Sequence, residues 1–209
     1  ALCSKIYKNM VEFNDVLRAL ELTIQYQKSM NEIFPDGRGI NLPQEITENL
    51  ILSILRYIKG MDARWCKETK KPNKISGDGY TPATGIAVNL EPTPANRKVK
   101  VIIKYTGMKK LEFKCFTSTG PPTFGPTEKW DQLYFLDAID YHDYKFKLYE
   151  VPLSNDSDEW KSLKVSKSQT FEDQADQGRR PRIVFDEIQT QLGERCKMMW
   201  EGDIRNLFN

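Results

Sequence analysis

His142 is the single histidine in 209 residues, which leaves no room for chemistries that need several imidazoles. A Ser-His-Asp or Cys-His catalyst would hang on that one side chain. It stands in Asp140-Tyr141-His142-Asp143-Tyr144, a polar stretch between two strand-like segments, and reads as a turn residue. Cysteine is scarce and scattered: Cys3, Cys66, Cys115 and Cys196 form no C-x-x-C pair. That speaks against a zinc cluster and for separate thiols in a reducing cytoplasm. Long apolar runs are missing, since Leu50-Ile51-Leu52-Ser53-Ile54-Leu55 is bounded by Asn49 and Arg56 and falls far short of a membrane span. The N-terminus shows no extended apolar segment of the signal-peptide kind. Neither sign of charge is in surplus: 31 basic residues face 29 acidic ones for a net +2, so a nucleic-acid surface would have to come from local clustering.

What is present suits one globular domain over residues 1–209, with 39% hydrophobic and 29% charged residues. From Val11 to Ile33, Val16, Leu17, Leu20 and Ile24 recur at helical spacing and predict a long helix. Pro35-Asp36-Gly37-Arg38-Gly39 breaks it. A second helix follows to about Lys59, with Asn41 as a candidate cap, Pro43 in its first turn and Gly60 as its stop. Its apolar arc is formed by Ile46, Leu50, Ile51, Ile54, Leu55 and Ile58. Glu48 falls at the edge of that arc, either half-buried beside a site or solvated at the rim, and the helical wheel alone favours the rim. The basic stretch Lys67 to Lys74 reads as a solvated loop or a phosphate-facing one.

Lys98 to Tyr105 alternates as a strand, and Thr106-Gly107-Met108-Lys109 is expected to turn it back into the next strand as a β-hairpin. That next strand, Lys110 to Phe116, carries Glu112 and Lys114 on one face, with Phe113 pointing into a core. Such a pair suits a metal-dependent hydrolase: the acid holds a cation, and the ammonium orients water and stabilises charge at a phosphate. An isolated Glu-x-Lys is more often a plain surface pair. A Gly- and Pro-rich loop from Thr117 to Pro126 follows, then strands around Trp130–Asp137 and Lys145–Val151. The expected architecture is α/β, a central mixed sheet of four or more strands flanked by helices. Arg179-Arg180-Pro181-Arg182 could reach several phosphates or a guanine edge, or could pair with the acids just upstream. A helix from about Ile183 to Leu192 and a further segment from Trp200 to Phe208 close the chain.

These pieces, taken in order, resemble type II restriction endonucleases of the PD-(D/E)xK nuclease superfamily. The matching fragments are Gly39-Ile40-Asn41-Leu42-Pro43 with Ile46-Thr47-Glu48, then Gly77-Asp78, then Glu112-Phe113-Lys114. After them come Thr117-Ser118 with Gly125-Pro126, Trp130 to Phe135, and Arg179 to Arg182. The resemblance implies a restriction-endonuclease-like fold with Asp78 and Glu112 as metal-binding acids, Lys114 as the catalytic lysine and Glu48 as a supporting helical acid. It also implies Mg²⁺, replaceable by Mn²⁺, and in-line hydrolysis by an activated water that leaves a 5′-phosphate. Double-stranded DNA would be the substrate of a homodimer in a prokaryotic cytoplasm, with a cognate DNA methyltransferase as functional partner. The likeness is nearest to a subgroup that cuts interrupted GC-rich sites such as GCNGC. Arg179, Arg180, Arg182, Thr117 and Ser118 are the candidate DNA contacts. Ile102-Ile103-Lys104 offers a second strand lysine, but Ile102 stands where an acid is needed, so Glu112 and Lys114 are preferred. The competing readings are a non-catalytic nucleic-acid-binding module and a repair or modification-dependent nuclease on the same fold.

Overall fold

The computed structural model describes residues 11–37, 39–69, 74–82, 86–93, 96–105 and 107–208, with the side chains of 86–105 outside the description. Helix α1 (Phe13–Ile33) turns Val16, Leu20 and Ile24 inward, as their spacing requires. Helix α2 (Gln44–Lys59) is buried without a break from Ile46 to Leu55. It stops at Gly60, as expected, but Asn41 is not its cap. The backbone of Pro43 is still extended and occupies the cap position, which leaves Asn41 too far upstream. Asn41 Oδ1 instead accepts a hydrogen bond from Thr117 Oγ1 at 3.1 Å, tying the helix entrance to the loop beyond the Glu112 strand.

The strands that follow are β1 (Arg64–Trp65), β2 (Gly79–Thr81), β3 (Ile86–Thr93), β4 (Asn96–Tyr105), β5 (Lys109–Phe116), β6 (Gln132–Asp137), β7 (Lys145–Val151) and β8 (Lys197–Asp203). Six of them form one mixed sheet in the order β1-β2-β5-β6-β7-β8. Only β5 and β6 run parallel; the other neighbours are antiparallel. The expected hairpin between β4 and β5 does not form. β4 pairs with β3 in a ribbon of their own, from Ile86 opposite Tyr105 to Thr93 opposite Asn96. That frees the edge of β5 to pair with β2, Gly79 opposite Leu111. A strand satisfied by its predecessor has no ladder left for its successor on that side.

β6 is buried on both faces, as its apolar run predicts. Tyr134 and Leu136 enter the core under α1 and α2, whereas Leu133 and Phe135 enter a second core on the opposite face. There they meet the short helices α3 (Asp158–Lys161) and α4 (Phe171–Asp176) and helix α5 (Phe185–Leu192) through Trp160, Phe171, Phe185 and Ile188. The Trp200 to Phe208 segment contributes to β8 at the sheet edge and to a terminal 3-10 turn. His142 lies in the Tyr141–Asp143 turn between β6 and β7. Among the described residues no helix is long and apolar enough to cross a membrane.

Candidate active site

Asp78, Glu112 and Lys114 are brought together at β5, and Glu48 reaches the cluster from α2 through Asp78. Asp78 occupies the bend just before β2. Its Oδ2 accepts the backbone N–H of Phe113 at 2.8 Å, so a side-chain oxygen takes over where the ladder's carbonyls end. Residue 79 must be glycine for this approach, since a Cβ there would lie 2.6 Å from Phe113 Cζ. Glu112 and Lys114 share a face of β5, as the two-residue period requires, and Lys114 Nζ stands 2.6 Å from Glu112 Oε1. The same ammonium reaches Glu128 Oε2 at 3.1 Å and lies 5.2 Å from the centre of the Phe124 ring.

Glu48 corrects the expectation of a solvated rim acid, for it is only 1% exposed. Trp65 and Lys67, from β1 and the turn after it, close over that edge of α2. The indole Nε1 of Trp65 donates to Glu48 Oε2, and Lys67 Nζ stands 3.6 Å from the same oxygen. Among the described residues Glu48 Oε1 is buried with no hydrogen-bond partner. An orphaned carboxylate oxygen in a buried acid is costly and needs a reason.

The electrostatics follow from crowding. Burial pushes the Glu112 carboxyl up to about 8, helped by Asp78 and Glu128 and opposed by Lys114. Burial also raises Glu48 to about 7 against the indole hydrogen bond, with the charge of Asp78 adding to the rise. Asp78 is raised as well, by burial that outweighs the Phe113 N–H. For Lys114 burial acts downward, but Glu112 and Glu128 prevail and hold the ammonium above its ordinary value. An acid raised beside a lysine raised looks contradictory for an ion pair. The resolution is that several carboxylates share one ammonium in a buried space: burial and mutual repulsion raise the acids, and the same negative charges raise the lysine.

Thr117 and Ser118 line the same cleft as Glu48, Lys114 and Thr123. Arg179, Arg180 and Arg182 lie outside it and exposed, between α4 and α5. Their segment is nevertheless fastened to the cleft wall: Arg182 bridges Thr123, and Phe124 N donates to Pro181 O at 3.1 Å. The alternative pairing of these arginines with upstream acids does not occur among the described residues. Glu172 pairs with Lys161 at 3.2 Å, and Asp173 completes the capping box of α4.

A profile of the Bsp6I restriction endonuclease family matches residues 8–190. The chain belongs to that family. The matched span contains Glu48, Asp78, Glu112, Lys114 and the arginine segment. The type II restriction enzyme Bsp6I of Bacillus sp. (strain RFL6) is 26% identical over 173 residues, covering 82% of this chain and 76% of that protein. No solved structure matches. The mixed six-stranded sheet with helices on both faces is compatible with a restriction-endonuclease-like fold.

As a chain of the Bsp6I restriction endonuclease family, the protein has an acid cluster whose donor chemistry fits a divalent cation. Carboxylate oxygens are the ligands that hard cations take. The raised carboxyls of Glu112, Glu48 and Asp78 and the orphaned Glu48 Oε1 both signal negative potential with too little positive charge to meet it. Among the described residues no group of three or more His, Cys, Asp or Glu side chains is arranged to hold a metal ion, and the Lys114 ammonium stands 2.6 Å from Glu112 Oε1. Lys104, the rejected second lysine, lies in β4, whose side chains are outside the description. Glu128 and Trp65 were not legible as site residues. Neither has a periodic relation to Glu112, and only the fold brings them near.

Proposed function

We propose that this protein is a Mg²⁺-dependent type II endonuclease that cuts both strands of DNA at a specific sequence and leaves 5′-phosphate ends. The observation that carries the reading is the union, on one buried edge of β5, of Asp78, Glu112 and Lys114 within a Bsp6I-family chain. Asp78 and Glu112 would hold the cation, with Mn²⁺ able to substitute. When bound, that ion acidifies water and neutralises charge on the scissile phosphate. Lys114 supplies a fixed ammonium to the charge that builds on the phosphate oxygens as water attacks in line. Glu48 offers its unpartnered Oε1 as an acceptor that orients the attacking water. No histidine and no covalent intermediate is needed, in keeping with the residues present.

Thr117 and Ser118 face the DNA from the cleft, and Arg179, Arg180 and Arg182 reach phosphates or guanine edges beside it. One site per subunit cuts one strand, so a duplex cut calls for a homodimer whose two-fold axis matches that of the DNA site. A cognate methyltransferase protects the host DNA in the cytoplasm.

The test is digestion of a long, fully sequenced, unmethylated DNA with Mg²⁺ and with EDTA, read on a gel. Discrete Mg²⁺-dependent fragments with ligatable 5′-phosphate ends are expected, and sequencing them gives site and stagger together. A smear would remove the specificity. DNA left intact with Mg²⁺, with Mn²⁺ and on methylated substrate would leave a non-catalytic binding module.

A further inference from the structure

The metal reading, on which this inference rests, meets an obstacle in the ion pair itself: Glu112 must hold a cation, yet it already holds an ammonium at 2.6 Å. The Lys114 side chain is only 14% exposed, so the displaced ammonium cannot simply return to water. An arriving divalent ion therefore competes with a charge that has nowhere else to go, unless a second anion stands ready.

Glu128 is such an anion, 3.1 Å from the same Nζ and carried by the loop between β5 and β6. Its side chain is a third exposed, so it bears a negative charge at smaller cost than Glu112 does. The loop is shaped to put it there. Glu128 N donates to Gly125 O at 3.3 Å. A Cβ at residue 125 would lie 2.8 Å from Glu128 Oε1 and 3.0 Å from its Cδ and Cγ, so the carboxylate occupies the space that glycine leaves. Phe124, next in the chain, is fully buried under Trp130, Trp160 and Phe171 and offers its ring to the ammonium. Anchor, glycine and acid form one device around the lysine.

We propose that Glu128 is a positioning residue that takes over the Lys114 ammonium when Glu112 turns to the divalent cation. It keeps the lysine in the site while clearing the acid that must bind metal. Glu128 acts through Lys114 and does not ligate the ion. Gly125, singled out by the sequence without a role, becomes the residue that lets Glu128 reach.

The experiment is Mn²⁺ titration of the full chain without DNA, with free Mn²⁺ read by electron paramagnetic resonance. Wild type, Glu128→Gln, Lys114→Met and the double variant are compared after thermal unfolding establishes that each is folded. Glu128→Gln should bind Mn²⁺ about tenfold more weakly, the scale of one lost charge-assisted hydrogen bond. Lys114→Met should bind at least as tightly as wild type, and the double variant should match Lys114→Met, because no competing ammonium remains. Wild-type affinity in Glu128→Gln would overturn the proposal. So would a double variant as weak as Glu128→Gln alone, since Glu128 would then be a direct ligand. Gly125→Ala should weaken binding in the same direction as Glu128→Gln; unchanged affinity would refute the steric part. A wild-type protein that binds no Mn²⁺ would instead overturn the metal reading, and this proposal with it.

Discussion

Glu48→Gln should make the metal-free protein more stable at alkaline pH, with a gain several-fold smaller at pH 5. Glu48 is 1% exposed, with one oxygen on the Trp65 indole and the other without a partner among the described residues. Its carboxyl is raised from 4.5 to about 7, chiefly by burial. A raised acid binds its proton more tightly when folded than when unfolded. Below 4.5 both states are protonated and the group costs nothing; as pH climbs, the unfolded chain ionises first and stability falls until about pH 7, where the full penalty is reached. At about 1.4 kcal/mol per tenfold change in proton affinity, that penalty is on the order of 3 kcal/mol. Glutamine keeps an oxygen for Trp65 and cannot ionise. Urea unfolding in EDTA at pH 5 and pH 9 measures both proteins, and the gain at pH 9 should appear as a midpoint higher by about 1–3 M at the urea slopes usual for small proteins. The same difference at both pH values, or a variant less stable at pH 9, would refute the reasoning. Glu48 would then be an ordinary carboxylate sustained by Trp65 and Lys67.

Glu112→Ala should abolish DNA cleavage, by about 10³-fold or more, while DNA retention in a gel shift with Ca²⁺ stays within a few-fold of wild type. Gly79→Ala should destabilise by roughly 1–3 kcal/mol, because the new methyl group meets the Phe113 ring at 2.6 Å; the urea midpoint reads it. Arg180→Ala should weaken DNA binding, lower the salt slope by about 1 and leave Mn²⁺ binding intact, whereas unchanged cutting at every salt concentration would remove Arg180 from the interface. Cleavage at low Mg²⁺ should climb as pH rises towards about 8, where the Glu112 cluster gives up its proton. Higher Mg²⁺ should move that rise to lower pH, since cation and proton compete for the same oxygens.

How much of this was legible depended on whether the signal was local. The β5 period placed Glu112 and Lys114 on one face, and the apolar spacing of α1 and α2 gave both helices to within a few residues. The β4–β5 hairpin misled because Gly107 in a short turn is a local sign, whereas the β2–β5 pairing is set by which edges remain unsatisfied after β3 and β4 pair with each other. Glu48 misled for a similar reason. A helical wheel gives the direction of a side chain but not what covers it, and Trp65 and Lys67 arrive from another part of the chain. The edge strand β8 carries too irregular an alternation, Lys197-Met198-Met199-Trp200-Glu201-Gly202-Asp203, to announce itself. Asp78, between two glycines, gained its metal-binding role only through resemblance, since the β3 and β4 strands separate it from Glu112 in the sequence.

That separation bears on how the family can diversify. Thr81 and Lys109 face each other across the β2–β5 ladder, and the β3–β4 ribbon that lies between them in the sequence is a separate two-stranded sheet. The two acids that would share a cation thus sit at the neck of a closed excursion, held in register by the ladder and not by the excursion's length. Lengthening such a loop costs only about 0.6 kcal/mol per doubling. The β3–β4 ribbon is therefore a cassette: it can be trimmed, extended or exchanged between relatives while the spacing of Asp78 and Glu112 stays fixed, so new reach along a ligand can be acquired without retuning the chemistry.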